Sequence, residues 1–380
     1  MSSLYLHIPF CERKCIYCDF YSIEGLASMD AFLDALHLEI GRYADVGSGM
    51  KFNTIFFGGG TPSLLNPEQV SAILDCLHHA FDIAPDAEVT LETNPGTVDL
   101  PKLSGFRKAG INRLSVGIQS FHEDELLFLG RIHDAAQAKE CILLARKAGF
   151  ENVSIDMIYS LPGQSLERWE ANLNQALALS PDHLSAYGLI VEDKTPLAKL
   201  VRAKQVSPNP PESEAALFEF TMKRMNENGY EHYEVSNYAR PGYRSIHNLN
   251  YWRHGSYLGF GPSAHSFWGS PRSQLGRRWW NVASVTAYVN RIREGELPIA
   301  SQEMLSDDAL MTERVFLGLR SDGLDMQAFR KEFGGTLLDK HSRLIEGFVE
   351  SDLACIEGEV LRVTSKGYLL CDEMSARLVS

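Results

Sequence analysis

Cys11-Glu-Arg-Lys-Cys15-Ile-Tyr-Cys18 gathers three thiols within eight residues, directly after the apolar run Leu4-Tyr-Leu-His-Ile-Pro-Phe10. Thiolates are soft ligands that suit iron–sulfur clusters, zinc or copper(I), and tight spacing lets one loop wrap a cluster. The count of three matters most. A structural zinc site normally closes with four protein ligands, and no fourth cysteine or histidine follows at a finger-like spacing. A four-iron cluster on three cysteines keeps one iron open to a small molecule. A zinc loop would have to borrow a distant histidine, and buried, silent thiols are the third reading.

Outward from this loop, apolar strands alternate with amphipathic helices. Met29, Leu33, Leu36, Ile40 and Tyr43 recur at helical spacing. Asn53-Thr-Ile-Phe-Phe57 reads as a strand and ends in Gly58-Gly-Gly60; Asn66, Pro67 and Gln69 then open a helix as N-cap, first residue and capping-box partner. The unit repeats through strands at Glu88–Thr93, Arg113–Gln119, Val153–Tyr159 and His183–Ile190. Six strands alternating with helices predict an α/β fold with a parallel sheet. A doubly wound sheet and a barrel both satisfy the alternation. Polar or glycine residues finish strand after strand at one end (the cysteine loop, Gly58 to Thr61, Glu92, Gln119), which favours a partial (β/α)6 barrel with its chemistry at the C-terminal strand ends.

Three regions are expected: a barrel over residues 1–200, an aromatic-rich extension over 201–298 with strands and loops packed over the barrel opening, and a small winged-helix-like α+β domain over 299–380. The last carries candidate helices Asp307–Leu319, Asp325–Phe333 and Leu337–Phe348 and a hairpin turning at Glu357-Gly358. At 380 residues the chain can bury sizeable cores. The balance of 36 basic against 49 acidic residues argues against nucleic acid, which needs clustered cations, as the main partner. No apolar run is long enough to span a membrane and the start is not a signal peptide, so a cytoplasmic location is expected. Cys76, Cys141, Cys355 and Cys371 stand singly in apolar surroundings and read as core packing.

Four further groups stand out. Gly58-Gly-Gly-Thr-Pro62 lets a ligand approach the backbone, although a tight turn would use the same glycines. Asp156 sits in an apolar strand, where a carboxylate needs a partner, structural or ligand. Glu92, Gln119 and Arg131 fall at or just after strand ends, where an acceptor could take ribose hydroxyls and a cation a carboxylate. His247-Asn-Leu-Asn-Tyr-Trp252 sets an imidazole beside two aromatic rings, either a satisfied core histidine or an axial nitrogen for haem, with His265 the next candidate.

The C-x3-C-x2-C spacing after an apolar strand resembles the radical S-adenosylmethionine (radical SAM) superfamily. Nearly the full chain resembles its coproporphyrinogen-oxidase-like family: Tyr5-Leu-His-Ile-Pro-Phe-Cys11, Gly58 to Pro62, Glu92 to Gly96, Gly117-Ile-Gln119, Gly130-Arg-Ile-His133, and an HNxxYW motif, His247 to Trp252, typical of the haem-chaperone branch. The resemblance implies a 4Fe-4S cluster on Cys11, Cys15 and Cys18, with S-adenosyl-L-methionine (SAM) on the open iron. SAM would be held by Tyr5, the backbone near Tyr17, Gly59, Gly60, Thr61, Glu92, Gln119, Arg131 and Asp156, and haem by His247.

The function implied is a haem chaperone that passes haem to an unidentified acceptor protein, which a membrane-associated protein could be; a homodimer is compatible, nucleic acid is not. The alternative is an oxygen-independent coproporphyrinogen III oxidase, and a more distant one a radical methyltransferase on another tetrapyrrole-like substrate. Against the oxidase, its pattern has a fourth cysteine where this chain has Phe20, and an N-terminal extension where Cys11 already lies near the start.

Overall fold

A computed structural model describes residues 1–269 and 276–380. The sheet is built from β1 (Ser2–Ile8), β2 (Lys51–Gly59), β3 (Asp82–Thr93), β4 (Arg113–Gln119), β5 (Asn152–Tyr159), β6 (His183–Gly188), β7 (Glu231–Glu234), β8 (Asn237–Ala239), β9 (Ser256–Phe260), β10 (His265–Gly269), β11 (Gly276–Asn281) and β12 (Ile299–Leu305). Their order is β12-β11-β10-β9-β1-β2-β3-β4-β5-β6-β8-β7. The six expected strands lie side by side and parallel, with helices between them. Asn66 and Asp134 each cap a helix through a capping box with the glutamine three residues on.

A seventh parallel strand was not legible in the sequence: β9 runs parallel to β1, with Tyr5 opposite Gly259. The aromatic-rich region therefore does not simply cover the opening. Its β9 to β12 extend one edge of the sheet and β7 and β8 the other. Within it the HNLNYW stretch is helical, Ile246–Trp252, where strands and loops were expected. The cause lies far away in sequence: the buried Glu88 carboxylate on β3 accepts the backbone N–H groups of Ile246 and His247, each at 3.0 Å, and Ser245 caps Asn248.

The C-terminal helices are Asp307–Leu319, Met326–Phe333, Thr336–Lys340, Ser342–Glu350, Ser365–Tyr368 and Cys371–Leu378, so the expected third helix is broken at His341. The hairpin Ala354–Glu357 with Val360–Val363 takes Leu324–Asp325 as a third strand. Cys141 and Cys371 are buried; Cys76 and Cys355 are half-buried. Among the described residues no helix is long and apolar enough to cross a membrane.

Candidate functional site

Alternation along the parallel strands decides which side chains face the interior. Tyr5 and His7 on β1, and Arg113, Ser115, Gly117 and Gln119 along the whole of β4, all line one cavity of about 1210 Å³. That exceeds the roughly 300–1,000 Å³ usual for one small ligand. Cys11, Cys15, Cys18, Tyr17, Gly59, Gly60, Thr61, Glu92, Arg131, Asp156 and His247 line it too, so every residue singled out from the sequence as a ligand or cofactor contact meets there.

The three thiols occupy one wall. Thr61 Oγ1 donates to Cys11 Sγ and Arg131 Nη1 to Cys15 Sγ, each at 3.5 Å. Among the described residues no group of three His, Cys, Asp or Glu side chains is arranged to hold a metal ion; the three thiols border the cavity. This donor set fits a cluster. The sulfurs receive a hydroxyl and a guanidinium, both of which favour thiolate, and burial that pushes the Cys18 thiol up to about 11 is the penalty a bound metal's charge reverses.

Beside the thiols, Gly60 and Thr61 donate their N–H groups to the carbonyls of Ile8 and Phe10, at 2.9 and 2.7 Å. A Cβ at Gly60 would stand 2.6 Å from the Phe10 carbonyl oxygen, so only glycine lets the two loops touch. Gly59, at φ +108°, turns its N–H onto Glu92 Oε2 at 3.2 Å. The loop and the cysteines are thereby locked as one unit.

Below it lies a layer of half-buried acid. Glu92 stands opposite Ser115, and Asp156 opposite Gly117 and Ser185. Burial, then the neighbouring Asp156, raises the Glu92 carboxyl to about 8; burial likewise raises Asp156, whose oxygens accept from Ser115 Oγ at 3.0 and 3.1 Å. Gln119 has a left-handed φ of +71°, uncommon for a residue with a side chain. Arg131 Nη2 donates to the Gly117 carbonyl at 2.5 Å, fixing the guanidinium between β4 and the cysteine loop. Acceptors and a cation thus face one space, as a ligand with hydroxyls and a carboxylate requires.

His247 sits deeper, 1% exposed and stacked on Phe56 with ring centroids 4.8 Å apart. Thr54 Oγ1 lies 2.7 Å from its Nδ1 and the Tyr251 hydroxyl 2.9 Å from its Nε2, so both ring nitrogens are engaged. Burial, with Arg113 adding to it, pulls its pKa down to about 3 and keeps the ring neutral.

Sequence reading passed over His7 and Arg113. His7 bonds the Tyr5 hydroxyl at 3.1 Å and the Tyr21 carbonyl at 2.7 Å and fills the space a Gly59 side chain would need. Arg113 is 2% exposed, and among the described residues its Nε has no hydrogen-bond partner. Polar residues at alternate positions of otherwise apolar strands were the signal for both.

Comparison with known proteins gives two matching families: residues 5–176 match the radical SAM superfamily and residues 305–370 the HemN C-terminal domain. The haem chaperone HemW of Bacillus subtilis is 36% identical, covering 98% of this chain and 98% of that one. The Escherichia coli haem chaperone HemW is 41% identical over 69% of each chain. Among solved structures, the coproporphyrinogen III oxidase HemN of E. coli, described as a radical SAM enzyme, superposes with a TM-score of 0.84 at 25% identity, covering 100% of this chain and 90% of that one.

Proposed function

This chain belongs to the haem chaperone HemW family within the radical SAM superfamily, and from that premise we propose that its cavity holds a SAM-ligated 4Fe-4S cluster together with haem destined for an acceptor protein. The carrying observation is the shared cavity: thiols, glycine loop, carboxyls and the HNLNYW helix border one space too large for a single small ligand.

Cys11, Cys15 and Cys18 hold the cluster. The SAM site uses Tyr5, the backbone near Tyr17, Gly59, Gly60, Thr61, Glu92, Gln119, Arg131 and Asp156. When bound, the cluster supplies an electron and an open iron for SAM; the protein's own part is to orient and shield. Arg131 offers its guanidinium to a carboxylate, and Glu92 and Asp156 offer acceptors to hydroxyls. His247, with both nitrogens engaged, supports the site from beneath. The seven free cysteines suit a cytoplasmic setting.

Haem titration tests the reading. Cluster-reconstituted protein should bind ferric haem saturably with one haem per chain, and absence of saturable binding would overturn it.

A further inference from the structure

We propose that the axial ligand for haem iron is His265, at the cavity mouth, rather than His247; this rests on the haem-chaperone reading. An iron ligand needs a ring nitrogen with a free lone pair, reachable by a rigid disc, with flat apolar surface nearby. His247 lacks the first two. It is 1% exposed, and binding would break its contact with Tyr251.

His265 has all three. It opens β10, is exposed, and lines the same cavity. Its ring stacks on Trp280, directly opposite across the β10–β11 pair, with centroids 5.7 Å apart and an interplanar angle of 19°. Among the described residues its side chain makes no hydrogen bond: the groups acting on it are the low-dielectric surroundings and, after them, the Arg278 charge, and both keep the imidazole neutral. A neutral, unengaged imidazole held in one orientation by an indole is ready to coordinate.

The surroundings suit a porphyrin. Phe267, Phe316 and Leu317 line the same cavity, while Phe20 and Ile190 on its border are each 68% exposed. Large apolar side chains left in water around a cavity mark a binding surface. Exposed Arg13 on the cysteine loop supplies a cation for a propionate. The turn leading into β10 is also anchored. The preceding Gly261, at φ +95°, donates its N–H to the buried Glu39 at 2.8 Å, and Asn281 links the same carboxylate to the Gly261 carbonyl.

The test is a ferric haem titration of full-length, cluster-reconstituted protein, read by the electron paramagnetic resonance of the haem with the cluster left in its silent oxidised state. His265→Ala should lose the imidazole-ligated signal and bind haem at least about tenfold more weakly. Added imidazole should restore the signal, which a misfolded variant could not do. His247→Ala should keep its signal. An unchanged spectrum and affinity in His265→Ala, or loss of the signal in His247→Ala alone, would overturn the assignment and leave the chaperone reading standing. If the unsubstituted protein binds no haem, the chaperone reading itself fails.

Discussion

Glu39 shows how one buried residue couples distant parts of the chain. From the helix Met29–Arg42 its carboxylate accepts from the Gly261 N–H at 2.8 Å, Asn281 Nδ2 at 2.7 Å and the Tyr288 hydroxyl at 2.6 Å. Burial outweighs those bonds and raises its pKa from 4.5 to about 7. The folded chain therefore holds this proton where the unfolded chain has released it. Its contribution is fully present below about pH 4.5 and is lost as pH rises through about 7, by an amount on the order of 3 kcal/mol. Glu234, raised to about 7, and Glu92, raised to about 8, act in the same direction. Urea denaturation should thus give a lower midpoint at about pH 7.5 than at about pH 5, with a shallower dependence in Glu39→Gln whatever its absolute stability. An identical slope in the variant would exclude Glu39 as a titrating group. None of this was visible in the sequence, where Glu39 is one acid among many on an amphipathic helix.

Two elements at strand ends make predictions of their own. In the glycine loop, Gly60→Ala would drive a Cβ into the Phe10 and Ile8 carbonyls at 2.6 and 2.9 Å, both backbone atoms that cannot swing aside. Relief requires separating the loop from the cysteines, so thermal unfolding should report a loss of about 1–3 kcal/mol and calorimetry a weaker affinity for SAM. Wild-type stability and SAM affinity would mean the contact is soft. The HNLNYW helix is only seven residues long, too short to persist without tertiary support. Glu88→Ala leaves two helix N–H groups without their acceptor and should cost about 2–4 kcal/mol by chemical denaturation, with Glu88→Gln recovering part of it through its amide oxygen. A change below about 0.5 kcal/mol in Glu88→Ala would show that the cap is dispensable. These two elements also mark what sequence reading can reach. The capping box at Asn66 is local and was legible; the Glu88 cap, 158 residues from Ile246, was not. Gly60 was legible as a close approach, but its partner was hidden.

Across the whole molecule, residues from Tyr5 to Leu317 border one space. The alternation of strands and helices announced the parallel sheet, because each period is written in consecutive residues. It could not announce β9 beside β1, since that pairing joins segments with no local signal between them. The C-terminal domain closes part of the cavity through Phe316 and Leu317 on its first helix, which is tied to β11 by Arg278 and Glu313 at 2.6 Å. Three thiols at the edge of such a cavity resemble an enzyme's site, while the matched family is that of haem chaperones. Anaerobic incubation of the cluster-reconstituted protein with SAM, a reductant and coproporphyrinogen III separates the two most directly. The account predicts no decarboxylated porphyrinogen while the same preparation binds haem; robust turnover to decarboxylated product would contradict it.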